Sequence, residues 1–233
     1  MAAFFFWLLL FHPLQWISLK LFGYKGHNWV VNLLNWVLVH SLLILGVRVR
    51  FKNAHKLPNN ASLILVSNHQ SLFDIPPVIW GFRKYHPKFV AKKELEKGIP
   101  SISFNLRHGG AALINRKDGR QAMTALASFA KSIHAKKRSA VIFPEGTRSR
   151  DGQPKTFATN GIKILVKYNP EAYIVPITIN NSWKIFKYGK FPLGIGSPIT
   201  ITAHKAIQVN SLPFDTLIEA VEQTIKNHIT PCQ

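Results

Sequence analysis

Two short apolar runs in the chain each end abruptly in a polar segment. Leu63–Val66 leads into the segment Asn68–Asp74, and Ala140–Phe143 leads into Pro144–Ser149. Short apolar runs bounded by turn residues are typical of buried strands. Because open α/β sheets place their sites at the carboxyl ends of their strands, we expect His69 at the end of a central strand.

His69 and Asp74 are five residues apart. In one continuous helix this spacing is about 140° of rotation, so the two side chains would not share a face. Across a strand-to-helix turn, however, Asp74 can fold back and hold one imidazole nitrogen protonated, which leaves the other nitrogen free to accept a proton. The alternative is a helix start, with Asn68 or Ser71 as N-cap, Asp74 favouring the helix dipole, and His69 as an ordinary loop residue.

The two segments together resemble the glycerolipid acyltransferase family, which includes bacterial lysophosphatidic acid acyltransferases. The N-H-x-x-x-x-D block of that family is complete in residues 68–74, and its F-P-E-G-T-R-S block is complete in residues 143–149. Two weaker blocks also match: Gly110–Arg116 resembles G-x-x-x-I-x-R, and Ile174–Ile177 resembles V-P-I. The resemblance covers roughly residues 48–203.

This resemblance implies catalytic roles for His69 and Asp74, and it implies that Arg116, Gly146 and Arg148 bind the acceptor. Lys92 and Lys93 resemble the family's lysine-containing segment at the edge of the site, which implies that one of these two lysines faces the substrate. The alternative is that both are ordinary surface lysines in contact with solvent.

The residue chemistry of the second block suits a phosphate pocket. Arg148 can fork onto phosphate oxygens, Gly146 allows the backbone to come close, and Thr147 adds a hydroxyl donor. Arg116, at the end of another apolar run, can reach the same place. For Glu145 we expect a structural role, orienting Arg148 or backbone amides.

Acyl transfer from a thioester to a hydroxyl needs a base, because a hydroxyl is a poor nucleophile until its proton leaves. We assign this role to His69, with Asp74 fixing its tautomer. The only cysteine, Cys232, stands next to the C-terminus and is badly placed as a nucleophile. The sequence therefore favours direct transfer without an acyl-enzyme, from acyl-CoA or acyl carrier protein as donor substrate and without a cofactor.

The first 46 residues contain two apolar stretches separated by the turn Gly23–Gly26. Three arrangements are possible. Each stretch could cross a bilayer, since each is long enough; both could lie in one leaflet as a monotopic anchor; or the two could form a helical hairpin buried against the core. The break at Pro13 and the recurrence of asparagine at positions 28, 32 and 35 favour the monotopic anchor.

The remaining residues, 47–233, alternate predicted strands with predicted helices. This order indicates an α/β acyltransferase domain, with a mostly parallel sheet flanked by helices and preceded by the N-terminal two-helix membrane anchor. The predicted helices cover residues 75–82, 120–136, 156–168 and 212–229. In the second of them, we expect a stripe containing Met123 and Phe129 to lie in the core.

The chain is strongly basic, with 30 Lys and Arg against 10 Asp and Glu and a formal net charge of +20. This charge predicts that the chain binds an anionic partner. An anionic membrane surface and a phosphorylated lysolipid fit this charge; nucleic acid is not expected, because no helix-turn-helix or zinc-finger spacing is present. His and Asp residues at metal-ligand spacing are also lacking. A non-enzymatic lipid-binding module would leave His69 and Asp74 without a role.

The most specific acceptor that these observations suggest is 1-acyl-glycerol 3-phosphate, whose acylation gives phosphatidic acid. Relatives in the same family acylate glycerol 3-phosphate or other lysolipids, and the motifs do not separate these acceptors. Because acyl thioesters are cytoplasmic, we expect a membrane-attached protein, monotopic or peripheral through its N-terminal helices, whose catalytic face meets the cytoplasm.

Overall fold

The computed structural model describes residues 1–53, 57–59 and 61–230; Cys232 lies outside these ranges. The strands in the described residues are β1 (Val49–Asn53), β2 (Leu63–Ser67), β3 (Pro87–Lys92), β4 (Ala112–Ile114), β5 (Ser139–Ile142), β6 (Tyr173–Asn180), β7 (Ile199–Ala203) and β8 (Ile207–Gln208). The helices are α1 (Ala2–Ser41), α2 (Ile75–Gly81), α3 (Ile102–His108), α4 (Gly119–Ala135), α5 (Asn160–Lys167) and α6 (Phe214–Asn227).

All of these strands form one sheet in the order β1-β7-β6-β2-β5-β3-β4, with β8 paired to β6. β2 lies near the centre, parallel to β5 on one side and to β6 on the other. β7 and β8 run antiparallel to β6, and β1 is parallel to β7. The predicted mostly parallel sheet flanked by helices is therefore confirmed, with a reversed pair, β1 and β7, at one edge.

Alternate residues of β2 are buried in two separate hydrophobic cores, one on each face of the sheet. Leu63 and Leu65 face one side, which α1 and α2 cover, whereas Ile64 and Val66 face the other. The second core is closed by apolar residues of three helices: Leu126, Phe129, Ile133, Ile162, Leu165, Leu217, Val221 and Ile225. Strands that are buried on both faces read as continuous apolar runs, which explains why β2 and β5 are so clear in the sequence.

The predicted helices are present, with some differences. α2, α4 and α6 fall within two residues of their expected bounds, but α5 begins only at Asn160 and so is shorter than predicted. Phe129 is buried as expected, whereas the prediction for Met123 is wrong, since 62 % of that residue is exposed. It lies on the exposed face of α4 and does not belong to the hydrophobic core.

The N-terminal helix α1 folds back on itself. Its backbone leaves the helical conformation at Gly23, where φ is 59° and ψ is −150°. Leu8 and Phe11 of the first leg then pack in one cluster with Val30, Leu34 and Leu38 of the second. A straight helix would hold the two groups of residues about 30 to 45 Å apart, so the chain must reverse at the glycine. The helix passes through Pro13 without a break, which differs from the expected interruption there.

The two legs expose many apolar side chains and bury several polar ones, whereas Lys20, Lys25 and His40 are exposed. By length and composition, the helical stretch Ala2–Leu45 is apolar enough to cross a membrane. Its large exposed side chains are Phe5, Phe6, Leu9, Leu10, Leu14, Trp16, Ile17, Leu21, Phe22, Trp29, Trp36, Leu43 and Ile44. The asparagine stripe faces the protein instead: Asn35 is buried, and the Asn28 side chain accepts hydrogen bonds from Tyr24 and Lys88. The stripe therefore docks α1 on the sheet domain.

Lys88 of β3 is the one lysine that is buried in the described residues, with 7 % of its surface exposed. Its ammonium lies 3.3 Å from the Asn28 side-chain oxygen and 5.0 Å from the centre of the Tyr24 ring, on which the Arg138 guanidinium also stacks. Burial and the nearby Arg138 charge lower the pKa of Lys88 to about 7.

This burial predicts a pH-dependent stability. The unfolded chain keeps the Lys88 proton up to about pH 10.4, whereas the folded protein releases it near pH 7. Between these values the unfolded state binds more protons, so the free energy of unfolding rises with pH. Relative to Lys88→Met, the wild type should gain up to about 1.4 kcal/mol per pH unit from pH 7 to 9, measured by denaturant titration in detergent. Parallel profiles for the wild type, Lys88→Met and the exposed-lysine control Lys93→Met would contradict this account.

Candidate active site

His69 lies two residues beyond the end of β2, at the carboxyl edge of the sheet. Asn68, immediately before it, is buried and clamps the chain to β6. Its side-chain amide donates to the carbonyl of Ile179 at 2.8 Å, and its side-chain oxygen accepts from the Ile179 amide at 2.7 Å. These two bonds replace the strand ladder after β2 ends, and so they fix the direction in which the His69 segment leaves the sheet.

The expected pairing of His69 with Asp74 is present, since Nδ1 of the imidazole lies 2.7 Å from Oδ2 of the carboxylate. The turn that produces it is a helix start. The Ser71 hydroxyl accepts from the Phe73 amide at 3.2 Å, and the Asp74 carboxylate accepts from the Ser71 amide at 2.9 Å, which forms a capping box. The two interpretations of this segment are therefore compatible: Ser71, rather than Asn68, is the N-cap, and the capping carboxylate also binds the imidazole.

Asp74 is fully buried and surrounded by donors. Oδ2 also accepts from the Gln70 amide at 2.7 Å, and Oδ1 accepts from the hydroxyl of Ser182, which lies just beyond β6. Gln70 joins the same network, because its side-chain oxygen accepts from the Ser182 amide at 3.2 Å. These donors satisfy the carboxylate inside the protein and hold it in one orientation towards His69.

The second polar segment supports the imidazole from the other side. The Phe143 ring stacks on His69 with 4.1 Å between ring centres and 17° between planes. The His69 amide donates to Oε1 of Glu145 at 2.7 Å, and the Ser149 amide donates to the His69 carbonyl at 2.8 Å. The imidazole, 17 % exposed, thus has Nδ1 occupied by Asp74 while Nε2 has no hydrogen-bond partner among the described residues.

Glu145 joins the two loops through backbone amides. Besides the His69 amide, its carboxylate accepts from the Lys155 amide at 3.0 Å. Burial raises the pKa of the Glu145 carboxyl, and the hydrogen bonds from the Lys155 and His69 amides oppose that rise. In the described part of the chain, no hydrogen bond joins Glu145 to Arg148, so its contacts are with the backbone rather than with the arginine.

A basic rim borders the imidazole. A guanidinium nitrogen of Arg116, two residues beyond β4, donates to the carbonyl of Gly146. Gly146 has a φ of 69°, a backbone conformation that favours glycine, and this turn presents the exposed side chains of Thr147 and Arg148. The Lys155 ammonium binds the Thr147 hydroxyl at 2.8 Å. Three cationic side chains and a hydroxyl are therefore available to an anionic group.

Lys92 lies farther out on the same edge. It ends β3 and is exposed, and its side chain makes no hydrogen bond or ion pair with another described residue. The turn that follows it brings the Glu94 carboxylate close enough to Arg116 to interact electrostatically. The structure thus places Lys92 beside the basic rim but not in contact with His69.

Several contributors were not found from the sequence. Ser182 binds the Asp74 carboxylate, and Lys155 binds the Thr147 hydroxyl. Neither residue belongs to a recognisable block, and Ser182 is 108 residues from Asp74. The only sequence signal for Ser182 is its position just after an apolar strand. Among the described residues, no group of three or more His, Cys, Asp or Glu could hold a metal ion.

Comparison with known proteins identifies the family of the chain. The sequence model of the family described as Acyltransferase matches residues 48–180, which is more than half of the chain. The chain belongs to this acyltransferase family. The match contains all the site residues named above except Ser182.

Two similar proteins align with about three quarters of this chain. A protein of Chlamydomonas reinhardtii named 1-acyl-sn-glycerol-3-phosphate acyltransferase is 29 % identical over 174 residues, covering 75 % of this chain and 50 % of that protein. One of the same name from Borreliella burgdorferi is 28 % identical over 172 residues, covering 74 % and 66 %. The chain therefore matches one half to two thirds of the length of these relatives.

A solved structure shares the fold. The crystal structure of the 1-acyl-sn-glycerophosphate (LPA) acyltransferase PlsC from Thermotoga maritima superposes with a TM-score of 0.79 and 22 % identity, over 97 % of this chain and 91 % of that one. The family's fold, with the N-terminal helical element included, therefore extends over nearly the whole of this chain.

The hydrogen bond from Ser182 predicts a stability effect that can be measured without substrate. Ser182→Ala leaves one oxygen of the buried Asp74 carboxylate without its donor, which should lower the free energy of unfolding by about 1–3 kcal/mol in denaturant titrations. Ser211→Ala is the matched control, because the exposed Ser211 hydroxyl binds only the Gln208 carbonyl. Equal, small losses in both variants would show that Ser182 does not support Asp74.

Proposed function

We propose that this protein transfers a fatty acyl chain from acyl-CoA or acyl carrier protein to the free hydroxyl of 1-acyl-glycerol 3-phosphate. The product is phosphatidic acid, an intermediate of phospholipid synthesis. The observation that carries the proposal is the 2.7 Å contact of His69 with the buried Asp74, beside a rim of exposed cationic side chains. The names of the similar proteins support the choice of acceptor.

His69 acts as general base in the proposed mechanism. With the Nδ1 proton held by Asp74, Nε2 takes the acceptor's hydroxyl proton as the oxygen attacks the thioester carbonyl. The tetrahedral intermediate then expels the thiolate, so that a C–O bond replaces the C–S bond, and the imidazolium returns the proton to sulfur. The acceptor hydroxyl occupies the place of a serine nucleophile, and no acyl-enzyme forms.

The acceptor phosphate is bound at the basic rim. Arg148 and Arg116 provide planar guanidinium groups that can fork onto phosphate oxygens, and Thr147 provides a hydroxyl. The positive φ of Gly146 marks the turn whose carbonyl binds Arg116 and which leads directly to Arg148, so that we assign both arginines to one phosphate. We assign Lys92, exposed at the end of β3, to an outer contact with the substrates, where its charge attracts their phosphates.

The protein attaches to the membrane through α1 in this proposal. Both legs of the helix expose apolar side chains and bury polar ones such as Gln15 and Asn35, which fits a helical hairpin lying in one leaflet better than one that spans the bilayer. The formal net charge of +20 favours an anionic surface. Because acyl thioesters are cytoplasmic, the site faces the cytoplasm.

Removal of the base should abolish turnover. Membranes carrying His69→Ala should form phosphatidic acid from lysophosphatidic acid and labelled acyl thioester at least about 100-fold more slowly than the wild type. His134→Ala, which removes an exposed histidine of α4, should retain full activity. Circular dichroism and membrane sedimentation should be the same for all three proteins. Equal activity of His69→Ala and wild type would overturn the mechanism and favour a lipid-binding module without activity.

Loss of a rim arginine should act on the phosphate specifically. Arg148→Met should raise KM for lysophosphatidic acid by about 10- to 100-fold, since a charged hydrogen bond contributes about 1.5–3 kcal/mol. Any residual activity on a phosphate-free lysolipid should not change. Arg120→Met, at an exposed arginine of α4, is the control. An equal loss on both acceptors would place the phosphate elsewhere.

A further inference from the structure

The loop of residues 187–195 exposes an unusual concentration of large apolar side chains. Phe191 is 87 % exposed, the highest value among the exposed large hydrophobic residues described, and Ile195 and Tyr188 are 74 % and 63 % exposed. Isolated exposed apolar residues need no explanation, but three within eight positions form a patch.

Backbone contacts fix both ends of the loop, so its exposure is a defined feature of the fold. The amide of Gly194 donates to the Ile185 carbonyl at 2.9 Å, and the amide of Gly196 donates to the Leu45 carbonyl at 2.9 Å. A Cβ at Gly194 would collide with the Lys184 carbonyl, so this position requires the small residue. Leu193 packs against the core, whereas Phe191 and Ile195, two positions to either side of it, are exposed.

The charge around the loop has one sign. Lys187 and Lys190 are exposed beside the aromatic residues, and no Asp or Glu occurs anywhere between residues 172 and 214. Exposed aromatic and aliphatic side chains flanked by lysines suit the headgroup region of an anionic bilayer, where the rings bury among acyl chains and the ammonium groups meet phosphates.

The loop continues the apolar surface of α1. Its partner Leu45 follows Leu43 and Ile44, which are 52 % and 74 % exposed. At its other end, aromatic rings form a row: Phe186 stacks on Phe73 at 5.6 Å, and Phe73 meets Phe4 of the first helical leg at 5.3 Å. Phe73 immediately precedes Asp74, so this row connects α1, the catalytic turn and the base of the loop.

We propose that the 187–195 loop is a second membrane contact, which inserts Phe191, Ile195 and Tyr188 into an anionic bilayer while Lys187 and Lys190 bind lipid phosphates. Together with α1 it fixes the tilt of the domain, so that the turn with His69 and Asp74 lies at the lipid surface, where a lysolipid enters. The inference extends the membrane attachment of the proposed function, but its test does not depend on acyl transfer.

The direct test places an environment-sensitive fluorophore on the loop. In the 233-residue chain with Cys232→Ser, the variant Phe191→Cys is labelled with NBD and mixed with vesicles of equal parts phosphatidylglycerol and phosphatidylcholine. The matched control is Met123→Cys, an exposed apolar position on α4 against the opposite face of the sheet. Both proteins retain α1 and should bind the vesicles equally in sedimentation.

We expect the probe at position 191 to shift to the blue and to be quenched by lipids that carry a nitroxide near the headgroup, whereas the probe at 123 stays aqueous. If the protein is bound to the vesicles but the probe at position 191 shows the same emission as the probe at 123, which reports water around it, the loop does not enter the bilayer and the proposal is wrong. Failure of both proteins to bind vesicles would also overturn it. Neither result depends on catalysis, so the proposed acyl transfer is judged separately.

The lysines provide a second readout. Lys187→Gln with Lys190→Gln should weaken partition into the phosphatidylglycerol vesicles by about 5-fold per lysine, with little effect on pure phosphatidylcholine vesicles. Lys136→Gln with Lys137→Gln, a pair of exposed lysines at the end of α4, is the charge-matched control and should have a smaller effect. Equal losses for the two pairs would mean that only net charge matters and would contradict a specific docking loop.

Discussion

The carboxylate of Asp74 is the group on which the rest of the site depends. It is fully buried, and it accepts hydrogen bonds from the His69 imidazole, from the amides of Gln70 and Ser71, and from the Ser182 hydroxyl. An ionised carboxylate is costly to bury unless such donors surround it. The donors come from the turn after β2 and from the segment after β6, so the carboxylate joins two neighbouring strand ends and, through them, fixes the imidazole.

The sheet supplies the second constraint, since it brings chemically different segments to one edge. β2 delivers His69, β5 delivers the Glu145–Arg148 loop, and β4 delivers Arg116. The contacts between these loops are mostly side chain to backbone, as with Glu145 and the His69 amide or Arg116 and the Gly146 carbonyl. Such contacts hold loop shape and leave the side chains of Arg148 and Thr147 exposed.

The sequence predicted those parts of the fold that local patterns determine. β2 and β5 are buried on both faces and read as continuous apolar runs, and the His69–Asp74 pairing forms around a local capping box, from Ser71 to Asp74. Ser182 was not predictable, because its bond to Asp74 forms between residues 108 positions apart. The same reason hides the antiparallel pairing of β6 with β7, in which neither strand's own pattern specifies a direction. The asparagine stripe was seen, but its partner Lys88 lies on another strand, so its inward orientation emerged only with the tertiary fold.

The central claim is that Asp74 holds the proton on Nδ1 of His69 and leaves Nε2 as the base. The most direct measurement is ¹⁵N NMR of the histidine imidazoles in the 233-residue chain in detergent at alkaline pH, with Asp74→Asn and His69→Gln for comparison and assignment. The account predicts a protonated Nδ1 and an unprotonated Nε2 in the wild type, with loss of that preference in Asp74→Asn. A wild-type His69 that carries its proton on Nε2 would contradict the account.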